Sequence, residues 1–147
     1  MTKLHHEIKI NAPVEKVWKI LADLEAVQLY NPLVAHTEYI AGSHEGVGAA
    51  RHCDFKPNGF SKERVTAWEP KKSISFEIID SSWPMSMCRW KTNLIPEGNG
   101  TLVSQDIQYE VKFGILGKLM DIVFMRRKFN SILEDIFRGL KQFAEKS

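Results

Sequence analysis

The sequence predicts an α+β fold in which helices cover one face of an antiparallel sheet. A strand pattern and a short helical pattern open the chain, and about six strand patterns follow, separated by turn-forming residues. The chain then closes with one long amphipathic helix, roughly Leu116 to Glu145. Because such a helix must bury its apolar face, we expect it to lie against a curved sheet. This packing tends to leave a cavity between the helix and the sheet.

The elements follow one another in a clear order. A strand is predicted where apolar residues alternate from Leu4 to Ile10. Pro13 suits the first turn of a helix, and Asn31-Pro32 ends a second short helix. The later strand patterns are separated by turn-forming segments at 41–46, 56–59, 69–71, 81–84 and 96–100. After Phe113-Gly114 apolar residues recur at steps of three and four: Leu119, Ile122, Met125, Phe129, Ile132, Ile136, Leu140 and Phe143.

The length and composition are those of one globular domain, which we expect to span residues 1–147. Hydrophobic residues make up 44% of the chain and charged residues 26%, and the net charge is +2. This small charge gives no reason to expect nucleic acid as a partner. The densest basic run, Arg126-Arg127-Lys128, is interpreted as a solvated helix face, with contact to an anionic ligand or a membrane as the alternative.

No segment has the pattern of a signal peptide or a membrane span, so we expect a cytoplasmic protein without stable membrane insertion. Cys53 and Cys88 fall within strand patterns and are expected to be reduced thiols. His5 and His6 are adjacent on a strand and therefore face opposite ways, and the other histidines lie on separate segments. We therefore predict no metal site and no cofactor.

The turn residues also predict which side chains face inward. With Pro57-Asn58-Gly59 as a three-residue loop, Arg51 lies opposite Val65. With Trp68 opposite Ser73, the next strand adds its apolar face to the same side. On that side we place Glu63, Val65, Ala67, Ile74, Phe76 and Ile78. The last two strands are predicted to point Cys88, Trp90, Thr92, Leu94, Val103, Ile107, Tyr109, Val111 and Phe113 inward.

Five polar side chains remain on this otherwise apolar inner face: His6, Arg51, Glu63, Gln105 and Tyr109. Burying an unpaired charge is costly, so Arg51 and Glu63 should pair with each other, with water or with a ligand. As diagonal neighbours on adjacent strands they can reach each other. We interpret them either as a structural pair in a partly wet interior or as groups of which one meets a polar part of a ligand.

Several segments carry a resemblance to a known group of proteins. They are Ile10–Trp18, with its Ala-Pro-x-x-x-Val-Trp opening, then Gly46–Arg51, Glu63–Val65 and Gly100-Thr101. In this order and spacing they resemble the START-related, polyketide cyclase/dehydrase-like (SRPBCC) superfamily, over nearly the whole chain. The resemblance implies the helix-grip fold: a curved antiparallel sheet of about seven strands around a long C-terminal helix, with two short helices after the first strand. Tyr30 stands where relatives often carry Trp.

The resemblance further implies a hydrophobic cavity for lipids, polyketides or similar small molecules. We predict binding of a small hydrophobic molecule with a polar or acidic group, and we expect Arg51→Ala to weaken this binding much more than folding. Arg51 is the predicted anchor, Gln105 and His6 are further ligand-binding candidates, and the predicted walls are Trp90, Phe76, Ile78, Tyr109 and Tyr30.

Two other functions remain open at this point. A cyclase- or dehydratase-like enzyme would use Glu63, or else His6, as its acid–base group, with Arg51 or Tyr109 polarising an oxyanion. A partner-binding module would have a collapsed cavity with its inward aromatic side chains packed together. The sequence is compatible with a monomer or a homodimer.

Overall fold

Seven strands and a long C-terminal helix dominate the structure, a computed structural model that describes residues 1–146. The strands are β1 (Thr2–Ile10), β2 (Val34–Tyr39), β3 (Ala50–Phe55), β4 (Phe60–Glu69), β5 (Ser73–Ser81), β6 (Met85–Glu97) and β7 (Gly100–Val111). Between β1 and β2 the chain forms α1 (Val14–Ala22), a 3-10 turn (Leu24–Ala26) and α2 (Val27–Tyr30). The C-terminal helix consists of α3 (Gly114–Met120), a π-helical turn (Asp121–Met125) and α4 (Arg126–Lys146).

The strands form one antiparallel sheet in the order β1-β7-β6-β5-β4-β3-β2. Sequence neighbours are therefore also sheet neighbours, except that β1 pairs with β7, with Thr2 opposite Tyr109 and Ile10 opposite Thr101. The sheet is curved, and the C-terminal helix is 33 residues long. This confirms the predicted α+β class and the helix-grip arrangement.

The helical layer packs on the sheet through apolar side chains at helical spacing. On α1, Val17, Trp18 and Ile20 are buried, and the Trp18 ring meets Trp68 of β4 edge to face at 5.1 Å. On α4 the buried residues are Phe129, Leu133, Phe137, Leu140 and Ala144. Their steps of three and four place them on one face, which closes over the inner side of the sheet.

The sequence pattern predicts that the apolar face continues into the first turns of the long helix, but in the structure it does not. Leu119 and Ile122 are 59% and 63% exposed. The π-helical turn at 121–125, which contains Ile122, lies between α3 and α4, and a π turn rotates the helix faces on its two sides relative to each other. The stripe that is buried in α4 therefore points away from the sheet in α3. No helix of residues 1–146 is long and apolar enough to cross a membrane.

The β3–β4 hairpin differs by two residues from the predicted register, because Arg51 lies opposite Glu63 and not opposite Val65. The three-residue loop starts one position earlier, at Lys56. The N–H of Lys56 donates to the carbonyl of Leu33 at 2.8 Å and is therefore unavailable for pairing within the hairpin. Since the difference is an even number of residues, this shift by itself leaves the side chains of the hairpin on their predicted faces.

Two smaller predictions about side-chain placement are also wrong. Trp68 lies opposite Ile74 rather than Ser73, and an irregularity just after Val65 absorbs the difference, so that Val65 still pairs with Phe76. As a result Trp68 faces inward, and Ala67, which is predicted to face inward, lies opposite Ser75 on the other face. Phe113 does not point inward. It follows the end of β7 in a left-handed conformation with φ of 74°, which turns its side chain outward and leaves it 69% exposed.

A buried carboxylate holds the π-helical turn to the sheet. Asp121 accepts hydrogen bonds from the hydroxyls of Thr2 and Tyr109, and Nε of Arg126 donates to it at 3.1 Å. Burial acts to raise the pKa of Asp121, but these hydrogen bonds outweigh it, so the pKa lies below its ordinary value. The carboxylate is therefore ionised in the folded protein at neutral pH.

We expect Asp121→Asn to lower the free energy of unfolding at neutral pH by about 2 kcal/mol, the usual size of hydrogen bonds to a charged group. Because folding lowers the pKa of Asp121, this contribution is present above the unfolded pKa of roughly 4 and is lost as the pH falls through the folded pKa. Urea unfolding of the original protein and of the Asp121→Asn variant across this pH range measures the difference in their free energies of unfolding. Asp135→Asn, at an exposed pair with Arg138, is the control and should change little. A difference independent of pH would contradict the role of the charge.

Candidate functional site

A cavity of about 140 Å³ lies between the inner face of the sheet and the C-terminal helix. Its walls are mainly apolar on both sides. The helix contributes Phe129, Ile132, Leu133, Ile136, Phe137 and Leu140, and the sheet contributes Ile74, Phe76, Ile78, Cys88, Trp90 and Ile107. An engineered apolar cavity of about 150 Å³ is large enough to hold benzene, so a space of this size accepts a molecule with about one ring. The side chains of the sheet and the helix therefore leave a space between them.

A buried ion pair forms part of the cavity wall. Nε and Nη2 of Arg51 each lie 2.8 Å from Oε1 of Glu63 across the β3–β4 ladder. Nη1 of Arg51 donates to the carbonyl of Leu24 at 3.1 Å, and the guanidinium lies 4.6 Å from the centre of the Phe76 ring. The second carboxylate oxygen of Glu63 accepts a hydrogen bond from the Ser61 hydroxyl at 2.7 Å.

This geometry favours the structural interpretation of the pair. Burial acts to lower the pKa of Arg51, but the Glu63 carboxylate more than compensates, and the net effect is a pKa above the ordinary value. Arg51 therefore stays charged, and Glu63 neutralises it, so this wall carries no net charge. Both Glu63 oxygens accept hydrogen bonds, one from Arg51 and one from Ser61. Glu63 is the residue that an enzyme would use as its acid–base group, and these bonds already occupy its carboxylate.

Tyr30 ends α2 and closes one side of the cavity. Its side chain is buried, and its ring lies 6.4 Å from that of Phe143 on α4. Burial raises the pKa of the Tyr30 phenol, and the positive charge of Arg51 partly offsets this. A Cβ at Gly139 would collide with the carbonyl oxygen of Tyr30, so the glycine is what allows α4 to approach α2 this closely.

The cavity wall contains polar side chains that make no hydrogen bond within residues 1–146, and two of them are neighbours. Thr92 and Gln105 both line the cavity and lie directly opposite each other on β6 and β7. Within the described residues no fully enclosed side-chain nitrogen or oxygen lacks a partner. The polar atoms of these two side chains are therefore in contact with open space, and they form a second polar part of the mainly apolar wall, in addition to the Arg51–Glu63 pair.

The comparison with known families agrees with this architecture. The model of the family described as polyketide cyclase / dehydrase and lipid transport matches residues 1–145. The chain belongs to this family. The resemblance to the START-related, SRPBCC superfamily is thereby confirmed. No curated protein matches the chain.

Solved structures share the fold of this polyketide cyclase/dehydrase and lipid-transport family member at low sequence identity. A protein of Thermus thermophilus is 22% identical with a TM-score of 0.82, and 97% of each chain is covered. A START superfamily protein of Mycobacterium smegmatis is 17% identical with a TM-score of 0.81, covering 98% of this chain and 97% of that one. Major latex-like protein 151 of Panax ginseng is 14% identical with a TM-score of 0.80 and 97% coverage of both chains. These similarities concern the fold.

Seven of the nine predicted site residues of this family member line the cavity: Tyr30, Arg51, Glu63, Phe76, Ile78, Trp90 and Gln105. His6 and Tyr109 do not. A ring nitrogen of His6 lies 2.8 Å from Oδ1 of Asn130 on α4, where it supports the contact of β1 with the helix. Tyr109 donates to Asp121, and its ring packs on Phe129 at 5.0 Å. Both side chains therefore connect the sheet to the C-terminal helix.

Sequence reasoning missed Trp83 as a cavity residue. It lies in the β5–β6 turn, yet its ring meets Phe55 at 5.3 Å and Phe129 at 5.0 Å, so that it covers one end of the cavity. A large aromatic side chain in a turn, directly before Pro84, is the signal that could have identified it.

Burial raises the pKa of the Cys88 thiol, which also lines the cavity, to about 12. The thiol is therefore neutral and acts as an apolar wall.

Proposed function

We propose that this protein binds a small, largely apolar molecule carrying one neutral hydrogen-bonding group in the cavity between the sheet and α4. The observation that supports this proposal is that Thr92 and Gln105, opposite each other in a mainly apolar wall, have no hydrogen-bond partner within residues 1–146. Cavities of this kind, apolar with few placed polar groups, are typical of small-molecule sites. Membership in a family that includes lipid transport is in keeping with a binding role.

The polar groups favour a hydroxyl or carbonyl over an ionised group on the ligand. The Thr92 hydroxyl can donate and accept, and the Gln105 amide offers both donors and an acceptor. An anion would need a positive counter-charge, but the Arg51 charge is already neutralised by Glu63 at 2.8 Å. Burying an uncompensated charge in an apolar cavity is strongly unfavourable. The acidic ligand anchored on Arg51 is therefore the less suitable of the two chemistries expected from the sequence.

The probes that test this are p-cresol and p-xylene, which have nearly the same size and differ in one hydroxyl. Titration followed by nuclear magnetic resonance should show that both bind, with p-cresol preferred by about tenfold, as one additional hydrogen bond predicts. Gln105→Leu keeps the side-chain size but removes the polar group, so it should reduce the preference while leaving p-xylene binding intact.

Gln108→Leu is the matched control, because Gln108 lies on the opposite face of β7, where its amide oxygen accepts from Arg89. Its preference for p-cresol should equal that of the original protein. The absence of any shift at cavity residues with either probe, or a preference unchanged by Gln105→Leu together with Thr92→Val, would contradict the proposal.

A further inference from the structure

The first turns of the C-terminal helix expose apolar side chains to an unusual extent. Between 59% and 86% of the accessible surface is exposed at Phe113, Ile115, Leu116, Leu119, Ile122 and Phe124. Single exposed apolar residues are ordinary, but a contiguous group of this size on a soluble surface marks a contact site. We call residues 113–124 the apolar segment.

The apolar segment is firmly attached, so its side chains are held in this outward direction. Within 114–124, the buried residues are Gly117 and Asp121. A Cβ at Gly117 would collide with the carbonyl oxygen of Lys112, which shows how closely the helix approaches the end of β7. Asp121 is bonded to Thr2 and Tyr109 of the sheet. The helix is therefore fixed to the sheet on the side of Gly117 and Asp121, and its other sides face outward.

Along the chain from position 111 to position 133, the exposed charges are of one sign. Exposed basic residues lie before, within and after it: Lys112, Lys118, Arg126, Arg127 and Lys128. Asp121 is the one acidic residue between positions 111 and 133, and it is buried and paired with Arg126 at 3.1 Å. The accessible surface of this region therefore combines apolar side chains with positive charge and no exposed negative charge.

We propose that residues 113–128 form a docking surface for an anionic lipid bilayer. The apolar side chains would enter the interface between headgroups and acyl chains, and the basic side chains would contact the anionic headgroups. A bilayer suits this surface better than the groove of a partner protein. The apolar side chains leave the helix on several sides, whereas a groove receives a single stripe. The segment is too short to span a bilayer, so the contact is peripheral.

This docking surface continues directly into the cavity wall. Phe129 and Leu133, on the next turns of the same helix, are buried and line the cavity. A docked molecule would thus have the cavity beside the lipid surface, from which an apolar ligand could come. The docking proposal itself stands on the surface of residues 113–128 and does not depend on what the cavity binds.

Flotation of the full chain with lipid vesicles tests the proposal. The protein should float with vesicles of phosphatidylcholine containing phosphatidylglycerol and should remain unbound with phosphatidylcholine alone. Arg127→Gln with Lys128→Gln should lower the partition coefficient roughly thirtyfold, since each basic residue near an anionic surface strengthens binding roughly five- to sixfold. Ile122→Ser with Phe124→Ser should reduce it by about tenfold or more, because apolar burial is lost.

The matched control is Leu29→Ser with Val47→Ser, which removes two apolar side chains of similar exposure, 64% and 67%, on other parts of the surface. This variant should bind vesicles as the original protein does, and circular dichroism should show that all variants fold. Failure to float with anionic vesicles, or unchanged binding of Ile122→Ser with Phe124→Ser, would overturn the proposal. A dimer in solution that these same substitutions abolish would assign the surface to a second copy instead, and would overturn it as well.

Discussion

Replacing Glu63 with leucine is expected to lower the free energy of unfolding by about 3 to 5 kcal/mol, because it leaves a buried charge without its partner. Arg51 and Glu63 have side chains that are only 7% and 10% exposed, and their 2.8 Å contact joins β3 to β4. Without the carboxylate, the guanidinium retains its bond to the Leu24 carbonyl and the Phe76 face, neither of which neutralises its charge. Urea unfolding followed by circular dichroism measures the loss.

The double variant Arg51→Met with Glu63→Leu separates the cost of an orphaned charge from the value of the pair. We expect it to recover most of the stability, since apolar side chains of similar volume often replace a buried pair without net loss. The control is Arg64 and Glu77, an ion pair between β4 and β5 whose side chains are 48% and 37% exposed. There Glu77→Leu should cost less than about 1 kcal/mol.

A double variant as unstable as Glu63→Leu alone would contradict this explanation and would place the stabilisation in the bonds of Arg51 to other groups. The same reasoning revises the expectation for Arg51→Ala. Because that change orphans the Glu63 carboxylate, we now expect it to impair folding as well as any binding in the cavity.

Gly139→Ala is expected to lower the free energy of unfolding by about 3 kcal/mol, although alanine is the better helix former. The added Cβ would collide with the carbonyl oxygen of Tyr30, which belongs to the backbone and cannot rotate away. Helix α4 must therefore move off α2. Leu140 and Tyr30 both line the cavity, so its shape should change together with stability.

Thermal unfolding of Gly139→Ala beside Ser131→Ala measures this effect. Ser131 is exposed on the same helix, and its replacement by alanine should be neutral or stabilising by up to about 0.5 kcal/mol. If Gly139→Ala proved equally harmless, the close approach of α4 to α2 would not be a requirement of the fold.

The features of the fold that depend on local sequence were predictable. Alternation along β7 and the three- and four-residue steps along α4 gave the class, the element order and the inward faces. The register of the β3–β4 hairpin was not predictable, since it depends on the bond from Lys56 to the carbonyl of Leu33, which is remote in sequence. The outward orientation of Leu119 and Ile122 depends on the π-helical turn, which has no distinct sequence pattern.

The candidate site was predictable to the extent that strand alternation defines it. Alternation placed Arg51, Glu63 and Gln105 on the inner face, and the structure brings all three to the cavity. The position of His6 and Tyr109 depends instead on where the long helix crosses the sheet. That crossing gives them Asn130 and Asp121 as partners, more than ten residues away along the chain.

The pairing of β1 with β7 has a consequence for how the protein is made. Strands β2 to β6 can each pair with a neighbour soon after leaving the ribosome, because their partners are adjacent in sequence. The neighbour of β1 in the sheet is the last strand to be synthesised. Until then the nascent chain carries β1 without any partner and β6 with one unpaired edge, and both are prone to pair with other chains. Completion of β7 pairs both at once, so the order of synthesis delays completion of the sheet until all the other strands have been made.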